Sequence, residues 1–104
     1  MRAGLVLAVA LGAAACSSSR QAPRVHHVVI KGMQFVPAEL PVAVGDTIVW
    51  VNEDLVPHTA TAAGGFDSGV IASKAEWRLV VSSRGVLGYG CTMHPTMTAT
   101  LIVR

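Results

Sequence analysis

The chain has 104 residues, with eight Lys and Arg against six Asp and Glu for a net charge of +2; 52% of residues are apolar and 13% are charged. That length holds one domain, the low charge excludes a charge-driven disordered chain, and the near-neutral balance supplies no basic surface for nucleic acid. Two cysteines, Cys16 and Cys91, exclude a multi-disulfide scaffold and a four-thiolate zinc or iron–sulfur cage within one chain.

Met1 to Ala15 read as a segment addressed for export: one basic residue, Arg2, then the apolar run Ala3 to Leu11, then the small residues Gly12 to Ala15 ahead of Cys16. The uncharged stretch is about 14 residues, short of the roughly 20 that a bilayer helix needs. The run ending at Cys16 resembles a bacterial lipoprotein signal, in which the cysteine becomes the lipid-modified first residue. Ala13 and Ala15 also satisfy the small-x-small rule of ordinary secretory cleavage, so both maturation routes stay open. Residues 16–24 carry a polar tract, SSSRQAPR after the cysteine, with no periodicity that could pack, and read as a tether. Its eight residues after Cys16 reach at most about 29 Å when extended.

From Val25 to Arg104 the pattern is all-β. Short β-branched runs alternate with Gly, Pro, Asn and Asp, and no window repeats at helical spacing. Strands are expected at Val25–Lys31, Leu40–Val44, Thr47–Asn52, His58–Ala62, Ala75–Ser82, Val86–Cys91 and Thr98–Arg104. In Ala75–Ser82 the residues Ala75, Trp77, Leu79 and Val81 share one face and Glu76, Arg78 and Val80 the other, as a strand over a core requires. About seven to eight strands in 80 residues predict a small β-sandwich or barrel.

The chemistry concentrates in Cys91-Thr92-Met93-His94-Pro95-Thr96-Met97, which sets a thiol, an imidazole and a thioether at spacing C-x2-H-x2-M. Pro95 argues against a helix, so a tight loop between Cys91 and Thr98 is expected. A second imidazole, His58, stands in Val56-Pro57-His58-Thr59. Two imidazoles, a thiolate and a weak thioether form the ligand set of a blue-copper site. The thiolate and thioether suit Cu(I) and the imidazoles suit both oxidation states, so a rigid frame can hold one geometry through both. Structural zinc would want four N/S donors, and one cysteine lies in the folded part. A cysteine-protease reading lacks a substrate cleft and an orienting group. His26 and His27 are neighbours on a strand and point to opposite faces.

With Met33-x-Phe35-x-Pro37, Val44-Gly45-Asp46-Thr47-x-x-Trp50-x-Asn52, Pro57-His58-Thr59 and the Cys91 segment together, the chain resembles the cupredoxins, in the plastocyanin, pseudoazurin and amicyanin group. The ligand-loop spacing is most like that of amicyanin. The resemblance implies a Greek-key β-sandwich binding one copper ion through His58, Cys91 and His94, with Met97 as the weak axial ligand. It also implies that Asn52 ties the first-ligand strand to the loop near Thr92, and that a backbone N–H near Thr59 points at the Cys91 sulfur. Met93 and Pro95 are expected in an apolar rim around His94 that docks redox partners. Ala99 and Leu87 depart from residues common in the family, glycine and an aromatic respectively, and bear on packing.

The implied function is a type 1 copper protein, not an enzyme, that shuttles single electrons between partners outside the cytoplasm. It is expected as a monomer at the periplasmic or outer envelope face, held to a membrane through a lipid on Cys16, with 1–15 as signal, 16–24 as tether and 25–104 as copper domain. A copper chaperone or sequestering lipoprotein is the alternative use of the same site, and a metal-free adhesion module the third.

Overall fold

The computed structural model describes residues 3–6, 8 and 21–104. Arg2, the expected cleavage region, Cys16 and Ser17 to Arg20 of the tether therefore lie outside the described residues. Seven strands follow in chain order: β1 (Val25–Lys31), β2 (Gln34–Val36), β3 (Glu39–Val42), β4 (Thr47–Asn52), β5 (Glu76–Val80), β6 (Gly85–Cys91) and β7 (His94–Val103). They form two mixed sheets, ordered β2-β1-β4-β5 and β3-β7-β6. β1 runs parallel to β4 and β3 parallel to β7, while the other neighbours are antiparallel. The all-β two-layer sandwich expected from the strand spacing is the one observed, with no helix among the described residues.

Period-two patterning builds the core. In β5, Trp77 and Leu79 pack inward while Glu76, Arg78 and Val80 face water, and Ala75 and Val81 extend the buried face at either end. Trp50 on β4 is wholly buried, paired across the ladder with Trp77, and its ring lies 5.3 Å from Trp77, 5.4 Å from Phe66 and 5.6 Å from Tyr89. Taking an indole of roughly 200 Å², its burial stabilises by about 5 kcal/mol at most. Its one polar atom is satisfied: Nε1–H donates to the Tyr89 hydroxyl at 3.2 Å. Burial pushes the Tyr89 phenol up to about 12, with the Trp50 donor opposing, so this acceptor stays neutral.

Two expectations need correction, and one strand was not anticipated. His58–Ala62 forms no continuous strand; it crosses between neighbours through single bridges, His58 with Ile71 and Thr61 with both Asp67 and Gly90. The segment meets a different partner every few residues, so no ladder builds up. The tight loop expected between Cys91 and Thr98 is shorter than expected, and the last strand starts earlier than Thr98: Cys91 pairs with His94, only Thr92 and Met93 form the turn, and β7 begins at His94. A register irregularity between Gly90 and Cys91 accommodates this, and Pro95 is tolerated because it sits at the start of the strand. Finally, Met33-x-Phe35-x-Pro37 contains a short strand, β2, joined to β1 by the two-residue turn Gly32-Met33, both at positive φ (60° and 62°).

Candidate metal centre

Two elements meet at one end of the sandwich. The β6–β7 hairpin supplies Cys91 and His94, and the crossing segment after Pro57 supplies His58, whose N–H and carbonyl bond to Ile71 at 3.1 and 2.7 Å. Gly90 permits the approach of the two hairpin strands: a Cβ there would stand 2.7 Å from the Met97 carbonyl oxygen. Gly90 also exchanges two backbone hydrogen bonds with Thr61, at 2.8 and 2.9 Å, which fastens the hairpin to the segment carrying His58.

The result is a triangle of donor atoms. His58 Nδ1 and His94 Nδ1 are 3.1 Å apart, and the Cys91 sulfur lies 3.6 Å from His94 Nδ1 and 3.8 Å from His58 Nδ1. A triangle with these sides has its centre about 2.0 Å from each corner, the length of a metal–nitrogen bond and slightly short of a metal–sulfur bond. Burial alone pushes the Cys91 thiol up, but the Thr59 N–H, the two imidazoles and the Met93 N–H outweigh it and bring the group down to about 6. Sulfur at neutral pH is then chiefly thiolate, the form that binds metal. These residues fit a copper ion by donor type, spacing and charge.

Each imidazole has a distinct setting. His58 is fully buried, whereas His94 is half-buried at the surface. His58 Nε2–H donates to Asp54 Oδ2 at 2.8 Å. Since an ionised carboxylate can only accept, the Nε2 position carries the proton and the Nδ1 lone pair is left facing Cys91 and His94. Asp54 is itself fixed by the β1–β2 turn, accepting from the Gly32 N–H at 2.7 Å and the Met33 N–H at 3.0 Å. The Met33 donor foremost, with His58 and Gly32 adding to it against burial, holds the Asp54 carboxyl below the usual carboxylate range. Sequence reasoning missed Asp54. Its spacing of four from His58 was visible, but the turn that clamps it is distant in sequence.

The surrounding polar groups are arranged differently from the expectation for Asn52. Its amide nitrogen donates to the carbonyls of Val56 and Ile71, at 2.9 and 3.0 Å, and its oxygen accepts from the Asp54 N–H at 3.0 Å. Asn52 thus braces the loop leading to His58 and does not reach Thr92, because β4 ends over that loop. The link to the cysteine turn is made by Thr59. Its hydroxyl oxygen accepts from the Thr92 N–H at 2.9 Å and lies 3.2 Å from the Thr92 hydroxyl, while its own N–H donates to the Cys91 sulfur at 3.3 Å. Met97 is buried in the same core cluster as Cys91. Met93 and Pro95 are exposed on either side of His94.

Residues 24–104 match the model for copper-binding proteins of the plastocyanin/azurin family. The chain belongs to that family. Amicyanin from Paracoccus denitrificans is 29% identical over 80 residues and amicyanin from Paracoccus versutus 27%, each alignment covering 71% of this chain. The chain spans 61% of the length of these relatives. Among solved structures, a Cu(I) form of a methionine-to-alanine variant of amicyanin superposes with a TM-score of 0.74 at 28% identity, covering 81% of this chain and 86% of that one. An oxidised proline variant of amicyanin gives 0.73 at 28% identity, over 77% and 82%. The cupredoxin fold and the amicyanin-like ligand spacing read from the sequence are both found in these relatives, and copper is the cofactor of the family.

Proposed function

We propose that this protein is a type 1 copper electron carrier, with His58, Cys91 and His94 as strong ligands and Met97 as the weak axial one. The observation that supports it most is the compact triangle of two imidazole nitrogens and a sulfur brought toward the thiolate state. Bound there, copper supplies a one-electron couple between Cu(I) and Cu(II). The chain's own residues do the rest. Asp54 and the Ile71 bridge hold the His58 ring, the Thr59 N–H stabilises charge on the Cys91 sulfur, and the bonds between Gly90 and Thr61 keep the hairpin from opening. A frame that keeps its donors in place limits the rearrangement that accompanies each transfer.

The half-buried His94 edge is the point nearest solvent, and around this end of the sandwich Met33, Leu55, Val56 and Met93 are exposed beside Pro57 and Pro95. That apolar rim fits brief docking to redox partners by short-range contact, with little steering from a domain so close to neutral. In the same proposal residues 1–15 direct export, residues 16–24 form the tether with a lipid on Cys16, and residues 25–104 work as a non-catalytic monomer at the envelope. The alternative, a copper chaperone or sequestering lipoprotein, is separated by kinetics. Rapid electron self-exchange without loss of copper to an added chelator supports the carrier; ready transfer of Cu(I) to an apo-acceptor with slow self-exchange overturns it.

A further inference from the structure

The end of the sandwich opposite the metal centre has a composition of its own. Val25 pairs with Thr47 and Thr47 with Val80 in one sheet, and Gly85 pairs with Val103 and Val86 with Ile102 in the other, so these residues form the far rim. Backbone bonds knit it: the Thr47 N–H to the Arg24 carbonyl at 2.9 Å, the Val44 N–H to the Arg104 carbonyl at 3.1 Å, and the Gly45 N–H to the Val81 carbonyl at 2.8 Å. Ile30 with Asn52 and Cys91 with His94 mark the other end. At about 3.3 Å per residue, the length of β1 separates the two ends by roughly 20 Å.

On this far rim Arg24, Arg84 and Arg104 are exposed around one shallow concavity that His26 also lines, and none of the three forms an ion pair among the described residues. Among the described residues the one acidic side chain lining it, Asp46, is buried and fully engaged, accepting from the Arg24 and Ala43 N–H groups and from His26 Nε2 at 2.8 to 3.0 Å. Exposed valines stand among the arginines: Val25, Val44, Val80 and Val86. Glu39, Glu53, Asp54, Asp67 and Glu76 lie away from it, toward the metal end. Residue 24 is also where the tether enters the fold.

We infer that this arginine and valine rim is a membrane-facing surface, resting on anionic phospholipid headgroups and holding the metal centre outward. Guanidinium groups meet the phosphates, the valines sit at headgroup depth, and each cation near an anionic surface contributes about 1 kcal/mol. The inference rests on the tether reading for the point of attachment alone, because the rim would meet an anionic bilayer without any lipid on Cys16.

The test uses the Cu(I) chain from Ser17 onward, which contains every strand and every buried residue described. Amide resonances are followed at low salt in phosphatidylcholine bicelles with or without phosphatidylglycerol, with a spin label on a headgroup. Broadening is expected at Val44, Arg84 and Val86 and not at Thr92 to Thr96, in anionic bicelles only. Arg84→Gln/Arg104→Gln should weaken partitioning by roughly 30-fold, about fivefold per arginine, while leaving the spectrum of the Cu(II) form unchanged. Broadening at the metal end, equal broadening in neutral bicelles, none at all, or the same shifts produced by millimolar inorganic phosphate without lipid would each overturn the inference. Whether Cys16 is acylated is answered separately by the mass of the native N-terminal peptide.

Discussion

Replacing Asp54 by alanine removes the acceptor of the His58 Nε2–H and frees the Gly32 and Met33 amides at one stroke. The His58 side chain is fully buried, so its donor cannot turn to bulk water, and an unmade bond of this kind costs about 1–3 kcal/mol. The Asp54 side chain is 15% exposed, which lets water fill part of the gap and places the loss toward the lower end. In copper affinity the expected effect is about tenfold, within the 10- to 100-fold range for partners of metal-bound histidines. Without the carboxylate the imidazole is a weaker donor and holds Cu(II) less well relative to Cu(I), so the midpoint potential rises, by at most about 59 mV for a tenfold differential. Asp54→Asn should fall between: its oxygen can keep the Met33 and His58 bonds that share Oδ2, but its NH2 then faces the Gly32 N–H. Competition titration with a copper chelator and protein-film voltammetry read the two effects, with the fluorescence of Trp50 and Trp77 as the control for folding. An Asp54→Ala protein that folds normally and binds copper within twofold of the parent, at an unchanged potential, refutes the reasoning.

Gly90→Ala forces a Cβ to 2.7 Å from the Met97 carbonyl and is expected to destabilise by about 1–3 kcal/mol, lowering the melting temperature of the copper-free protein; unchanged melting would show that the hairpin can widen freely. Tyr89→Phe strands the buried Trp50 Nε1–H and should cost about 1–3 kcal/mol in urea unfolding without altering the copper spectrum, whereas an unchanged midpoint would mean the indole finds another acceptor. The Arg24 N–H foremost, then the Ala43 N–H and the His26 ring, hold the Asp46 carboxyl at about 2 against an ordinary value of 3.8. A lowered folded-state pKa contributes stability that is present above the unfolded value and lost as pH falls through the folded one, here about 2 kcal/mol lost between about pH 4 and pH 2. The advantage of the parent over Asp46→Asn in urea unfolding should therefore shrink across that window; an advantage constant down to pH 2 contradicts the assignment.

Much of this was legible in the sequence because the decisive patterns were local. Val25–Lys31 and Thr47–Asn52 are strands with the boundaries read from β-branched runs and flanking turn residues, and the Trp77 and Leu79 face of β5 is buried as its alternation implies. The spacing of Cys91 and His94 was informative because a two-residue turn brings a residue and its third neighbour together across a hairpin. What was misread depends on tertiary partners. His58–Ala62 has strand composition but crosses between partners, so composition could not foretell the missing ladder. Asn52 lies where β4 meets the loop to His58, and its bonds to Val56 and Ile71 arise from how that loop folds back. Asp54 acquires its role only when the Gly32-Met33 turn, more than 20 residues earlier, closes over it.

The electron-carrier proposal stands on His58, Cys91 and His94 with Met97 forming a type 1 copper site. The most direct measurement adds one equivalent of Cu(II) to the chain from Ser17 onward and records its visible absorption and EPR spectra beside those of Cys91→Ser. An intense sulfur-to-copper charge-transfer band and narrow parallel hyperfine splitting are expected, both lost in the serine variant. A folded, reduced protein that binds copper without that band, or a band that survives in Cys91→Ser, would contradict it.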